Sequence, residues 1–230
     1  MTLPEAEPAP GAALRAGDRL AHLQMLAMAA QGIAVLLSVA QSVVVVRLLS
    51  VSEFGLVGVA LGAGGVLDVL QHFTTSSAAV RELARSSDRR RQQWVTLVSI
   101  IIRLVMVLPS SAVIYLSANQ LAVGVYGQPS LAVPLQLLAL ATTISGLRGI
   151  LENTLTGLGA FRVYYIYLIV AFMLRLVLFW TMVARWRVNG YFLAEAGWSL
   201  LLTLALMVLV RHHLGSWRGR EPWSEVQGMV

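Results

Sequence analysis

Five ionisable side chains sit where charge is costly. Arg103, Arg148 and Arg175, and the acids Asp68 and Glu195, each stand alone in a long stretch otherwise free of charge. Inside a bilayer such a group costs at least about 2.5–3.5 kcal/mol and faces protein or water. The chemistry open to them follows from their types. A guanidinium is a planar fork that donates two parallel hydrogen bonds to a phosphate or carboxylate. At 1.5 Å per residue, Arg103 lies about 12 Å and Arg175 about 18 Å from the N-terminal end of its stretch, close to the midplane. Arg148 lies near a stretch end and has Glu152 one helical turn on, a pairing distance. Tyr164 precedes Arg175 by eleven residues, which puts the two on one helix face within about 20°.

Two readings of these charges stand side by side. In one, Asp68 pairs with Arg103 or Arg175 and pins helices together. In the other, the arginines line a hydrated cavity and hold an anionic group, with Asp68 beside them and Tyr164 at its inner mouth. His72, one turn from Asp68, reads as an interfacial residue, and Tyr164, Tyr165 and Tyr167 as an aromatic belt.

The elements that position these residues are six apolar stretches, near 20–46, 54–80, 95–118, 131–151, 163–184 and 191–210. Each matches the roughly 20 residues that cross a bilayer, and backbone in lipid must satisfy its own hydrogen bonds, so each is expected to be a helix. A hydrophobic content of 57% with 12% charge fits the same class. The expected fold is all-α: a polytopic membrane protein with six transmembrane helices. Residues 1–19 are expected to form a disordered cytoplasmic tail, 20–212 the six-helix lobe and 213–230 a second tail. Gly58 and Gly62 form a G-x-x-x-G pair that suits close approach of a neighbouring helix. Pro109 and Pro134 are candidate kinks.

Orientation comes from the arginines, which make up all 17 basic residues. With the N-terminus inside, eleven fall on the inner side, including Arg89, Arg90 and Arg91, and three fall outside: Arg47, Arg185 and Arg187. The positive-inside rule therefore predicts both termini in the cytoplasm. The start carries Glu5, Glu7 and three prolines ahead of the first apolar run, unlike a signal peptide, so the first helix is expected to be retained.

The net charge of +6 lies in short juxtamembrane segments, where anionic lipids are the natural partner; no basic domain is large enough to dock nucleic acid. There is no cysteine, hence no disulfide and no thiolate metal site. Phosphate-loop, metal-binding and nucleophile-elbow signatures are absent, so no cofactor and no enzymatic activity is expected.

Three segments carry a family resemblance. Arg47-Leu48-Leu49-Ser50-Val51-Ser52-Glu53-Phe54-Gly55 resembles the first outside loop of polysaccharide flippases of the multidrug/oligosaccharidyl-lipid/polysaccharide superfamily. Ala79-Val80-Arg81-Glu82-Leu83-Ala84 is similar to the inner end of their second span, and Leu155-Thr156-Gly157-Leu158-Gly159-Ala160-Phe161-Arg162 to the loop between spans four and five. The departures are Val51 in place of a frequent proline, and no glycine around Gln71-His72-Phe73. The resemblance implies alternating access between two six-helix lobes around an arginine-bearing cavity in the bacterial plasma membrane. Its implied substrate is a lipid-linked oligosaccharide of the undecaprenyl-pyrophosphate type. With the depth of the two midplane arginines, this makes Arg103 and Arg175, with Asp68 and Tyr164, the expected substrate-binding set. This chain reads as the N-terminal lobe alone, so a second six-helix lobe, a homodimer or a truncated reading frame is expected. The alternatives are half of a multidrug-type exporter, which would prefer acidic lining, and a membrane enzyme or scaffold of glycan assembly.

Overall fold

The computed structural model describes the backbone of residues 10–72, 76–86 and 88–215, and the side chains of 21–65, 78–86 and 88–215. The described chain is all-helical. Its elements are α1 (Pro10–Leu48), α2 (Val51–His72), α3 (Ser76–Arg85), α4 (Arg89–Gln120), α5 (Ala132–Gly157) and α6 (Phe161–Leu214). A π-turn at Leu121–Val125 and a 3-10 turn at Pro129–Leu131 join α4 to α5. Four segments are long and apolar enough to cross a membrane: Ala21–Leu48, Arg89–Val125, Pro129–Gly157 and Phe161–Leu214. Val51–Gly65 adds a shorter apolar helix.

The longest element resolves the fifth and sixth apolar stretches. At 54 residues, α6 would reach about 81 Å if straight, far beyond a bilayer. It folds back at Arg187, whose backbone is non-helical with φ 52° and ψ −125°. Contacts across the fold pair Ala171 with Trp198, Arg175 with Glu195 and Phe179 with Tyr191. As one partner advances by four residues, the other retreats by three or four. That is the register of two antiparallel helices, a first leg at 161–186 and a second at 188–214. Gly190 permits the close turn. A Cβ there would overlap the Met182 carbonyl oxygen and lie 2.6 Å from its carbon and 3.0 Å from the Val183 Cα.

The start of α2 gives a physical reason for the Arg47–Gly55 segment. The Glu53 carboxylate accepts from the Ser50 amide at 2.8 Å, and the Ser50 hydroxyl accepts from the Glu53 amide at 3.3 Å. This reciprocal capping box satisfies two donors that a helix start leaves open. Arg187 ties the α6 turn to it, donating to the Leu48 carbonyl and lying 3.8 Å from Glu53. The Ser50 amide, then the Ser50 hydroxyl and Arg187, hold the Glu53 carboxyl below its ordinary range.

Helix α5 is the centre of the bundle. It packs against α2, α3, α4 and α6, while α1 lies along α6. One apolar cluster, including Val57, Leu135, Phe179 and Phe192, fills the end near the α6 turn. A second, including Leu155, Tyr167, Trp198 and Leu206, fills the opposite end.

Several expectations change. The stretch 54–80 is not one helix: α2 ends at His72 and α3 begins at Ser76. The polar segment 81–94 between the second and third apolar stretches, whose composition reads as a loop, is mostly helix, because α3 runs to Arg85 and Asp88 caps α4, its carboxylate accepting from the Arg90 amide at 3.0 Å. Polar sequence there is an exposed helical surface, not loop. Helix α1 begins at Pro10, inside the expected tail; proline suits a first helical position, and alanines follow it. Among the described residues the G-x-x-x-G pair mediates no close packing, since a Cβ on Gly58 or Gly62 would meet nothing within 4 Å. The tight approach is at Gly64, where a Cβ would lie 2.9 Å from Leu138 of α5.

Candidate functional site

The two apolar clusters meet at a charged seam. Arg175 of the first leg reaches Glu195 of the second, with Nη2 donating to Oε2 at 2.8 Å. One turn farther from the α6 turn, Trp198 anchors the seam. Its indole N–H donates to the Ala171 carbonyl at 2.8 Å, fixing the ring. The Arg175 guanidinium lies 4.6 Å from the Trp198 ring centroid and that of Arg148 lies 4.1 Å from it. Arg148 in turn stands 3.3 Å from Glu152, which accepts from the Tyr167 hydroxyl at 3.1 Å. The result is a chain of side chains, Glu195–Arg175–Trp198–Arg148–Glu152–Tyr167, drawn from α5 and both legs of α6.

Charge in this seam is compensated, yet donors remain. Each guanidinium has one carboxylate, and the aromatic faces supply further cation–π attraction. Arg175 Nε and Arg148 Nε and Nη1 are shielded from solvent and donate no hydrogen bond among the described residues. Arg175 and Glu195 both retain 22% side-chain exposure, because they border a cavity of about 300 Å³. Leu61, Gly64 and Gly65 of α2 form one wall, Thr142 and Ser145 of α5 another, and Tyr191 extends the polar rim. The cavity thus combines a paired guanidinium, a carboxylate, hydroxyls and a glycine-lined wall. Such a surface can exchange the Glu195 carboxylate for another oxyanion and hydrogen-bond to neighbouring hydroxyl groups.

The expected site residues fall in different places. Arg175 lines the cavity. Arg103 is buried and belongs to a different contact: its Nε donates to the Gly146 carbonyl at 3.3 Å, with Nη2 3.8 Å from where a Cβ on Gly149 would be. Tyr164 packs half-buried on the second apolar cluster, its ring 6.3 Å from that of Tyr167. The side chains of Asp68 and His72 lie outside the described residues. Arg148 and Glu152 form the expected pair, but the guanidinium turns to Trp198. Sequence reasoning passed over Glu195, Trp198 and Tyr191 as site members. Glu195 carried a signal: it is the only charge in the sixth apolar stretch.

A family model described as polysaccharide biosynthesis protein matches residues 25–212. Comparison with curated proteins and with solved structures finds no match.

Proposed function

The chain belongs to the polysaccharide biosynthesis protein family, and on that premise we propose that it is part of a flippase moving lipid-linked oligosaccharide across the bacterial plasma membrane. The observation that carries the proposal is the Arg175–Glu195 pair opening into the cavity between α2, α5 and the α6 hairpin. In this reading the substrate's pyrophosphate takes Arg175 donors in place of Glu195, and the Thr142, Ser145 and Tyr191 hydroxyls meet its sugars. Arg103 is a positioning residue that clamps α4 to α5. The bundle crosses the membrane six times, through α1, α2 with α3, α4, α5 and the two α6 legs. Both termini are cytoplasmic, in accord with the arginine bias. A second six-helix lobe, or a second copy, closes the cavity; the open face of α2 at Gly58 and Gly62 is sterically free to receive it. Substrate movement is a binding and conformational process, not catalysis.

The competing reading makes Arg175 and Glu195 a static pair. Export of lipid-linked glycan by substituted chains separates the two. Arg175→Lys keeps the charge but not the fork and lowers export partly. Arg175→Ala lowers it about tenfold to a hundredfold, the worth of a lost charged hydrogen bond at roughly 1.5–3 kcal/mol. The double variant Arg175→Ala, Glu195→Ala removes both charges and restores normal membrane levels, yet still exports poorly. Full export by the double variant refutes a substrate role for Arg175.

A further inference from the structure

We propose that the groove between α4 and the second leg of α6 binds one anionic phospholipid from the leaflet at the arginine-rich end. This groove, about 660 Å³, shares no lining residue with the Arg175 cavity. Its origin is geometric. Both helices pack on α5, and they are pinned to each other at one end, where Gln93 Nε2 donates to the Leu214 carbonyl at 2.9 Å. Past that pin they hardly meet. The half-buried Leu147 and the buried Leu151 of α5 form the floor, and Ile100, Leu104 and Met207 form the walls. From Thr96 to Leu104 the α4 wall runs about 12 Å. That is close to half of a roughly 30 Å hydrocarbon core, so the groove matches the acyl chain of a single leaflet.

Charge selects the headgroup. Arg211 lines the mouth of the groove. Arg89 lies beyond the pin, its Nη1 3.8 Å from where a Cβ on Gly215 would be. Neither arginine has an ion-pair partner among the described residues. Among the described residues, the neighbouring acids are engaged elsewhere: Glu82 holds Arg91, and Asp88 caps α4. An apolar slot whose mouth carries a guanidinium with no carboxylate partner among the described residues fits a chain-bearing phosphate. Basic pockets between membrane helices bind anionic headgroups in this way. A zwitterionic lipid fills the slot with less electrostatic gain, and a soluble anion gains nothing from its walls.

The test uses the full chain in micelles holding equal phosphatidylglycerol and phosphatidylcholine, with retained lipid identified by native mass spectrometry. Phosphatidylglycerol is expected to be retained over phosphatidylcholine by about fivefold or more. Arg211→Gln removes the preference. Met207→Trp fills the slot from its exposed wall and lowers retention of both lipids. Arg162→Gln, an exposed arginine outside the groove, changes neither. Circular dichroism checks that each variant is folded, and the two groove variants act on separate parts, so one failing to fold leaves the other decisive. Equal retention of both lipids by the unsubstituted chain overturns the proposal, as does a preference surviving Arg211→Gln or retention surviving Met207→Trp. Complete displacement by equimolar polyprenyl phosphate also overturns it, assigning the groove to a carrier lipid. The readout is lipid retention, so failure here leaves the export reading untouched.

Discussion

Trp198 organises the seam at the scale of single residues. It is buried, it donates to the Ala171 carbonyl, and two guanidiniums lie within cation–π reach of its ring. Trp198→Phe keeps an aromatic face but loses the indole donor, and is expected to cost about 1–3 kcal/mol. Trp198→Ala also leaves a cavity and costs about 3–5 kcal/mol. Unfolding in mixed micelles measures both; a loss below about 0.5 kcal/mol for the alanine variant would mean that the ring organises nothing. The Arg148–Glu152 pair was legible in the sequence because its partners are one turn apart on one helix. Arg175–Glu195 was not, because its partners are 20 residues apart and meet only across the hairpin. Locating that contact requires the turn to be placed to within a residue, and periodicity alone does not place it. Trp198 was hidden for another reason: an apolar aromatic in an apolar stretch carries no polar signal until its neighbours are known.

At the scale of elements, the α6 hairpin depends on the absence of a side chain at Gly190. Gly190→Ala forces the legs apart at Met182 and Val183 and is expected to cost about 1–3 kcal/mol, as overpacking does. Gly62→Ala meets open space and is expected to be neutral or to stabilise by up to about 1 kcal/mol through helix propensity. Paired thermal unfolding curves decide this. Equal effects of the two substitutions contradict the hairpin geometry. The long apolar stretches were legible because lipid permits little backbone but helix. The segment 76–94 was not, since an amphipathic helix with many arginines has a loop-like composition. Only its tertiary placement distinguishes the two, with Leu83 seated against Gly157. The G-x-x-x-G pair misled because spacing reports a smooth helix face without saying which neighbour meets it.

For the whole molecule, the account requires a membrane bundle with its arginine-rich end in the cytoplasm. Reporter fusions after residues 90, 160 and 215 are expected to report cytoplasm, and fusions near 50, 125 and 188 periplasm. A periplasmic signal at residue 90 reverses the map. The same map sets how the site is reached. Arg175 lies about 21 Å from the start of the first leg, too deep for its guanidinium to snorkel to that end, so the proposed anion is expected to reach it through water held between helices.

The absence of native cysteine makes the most direct measurement of that cavity clean. A single cysteine replaces Ser145, which lines the cavity beside Arg175. Its rate of modification by small anionic and cationic thiosulfonates is then measured in native membranes, with and without lipid-linked pyrophosphate. The account predicts reaction with both reagents and a higher rate for the anionic one. It also predicts that Arg175→Ala removes that bias and that lipid-linked pyrophosphate protects the cysteine. An unreactive cysteine, or one whose modification ignores Arg175 and the lipid-linked pyrophosphate, contradicts a hydrated anion-binding cavity.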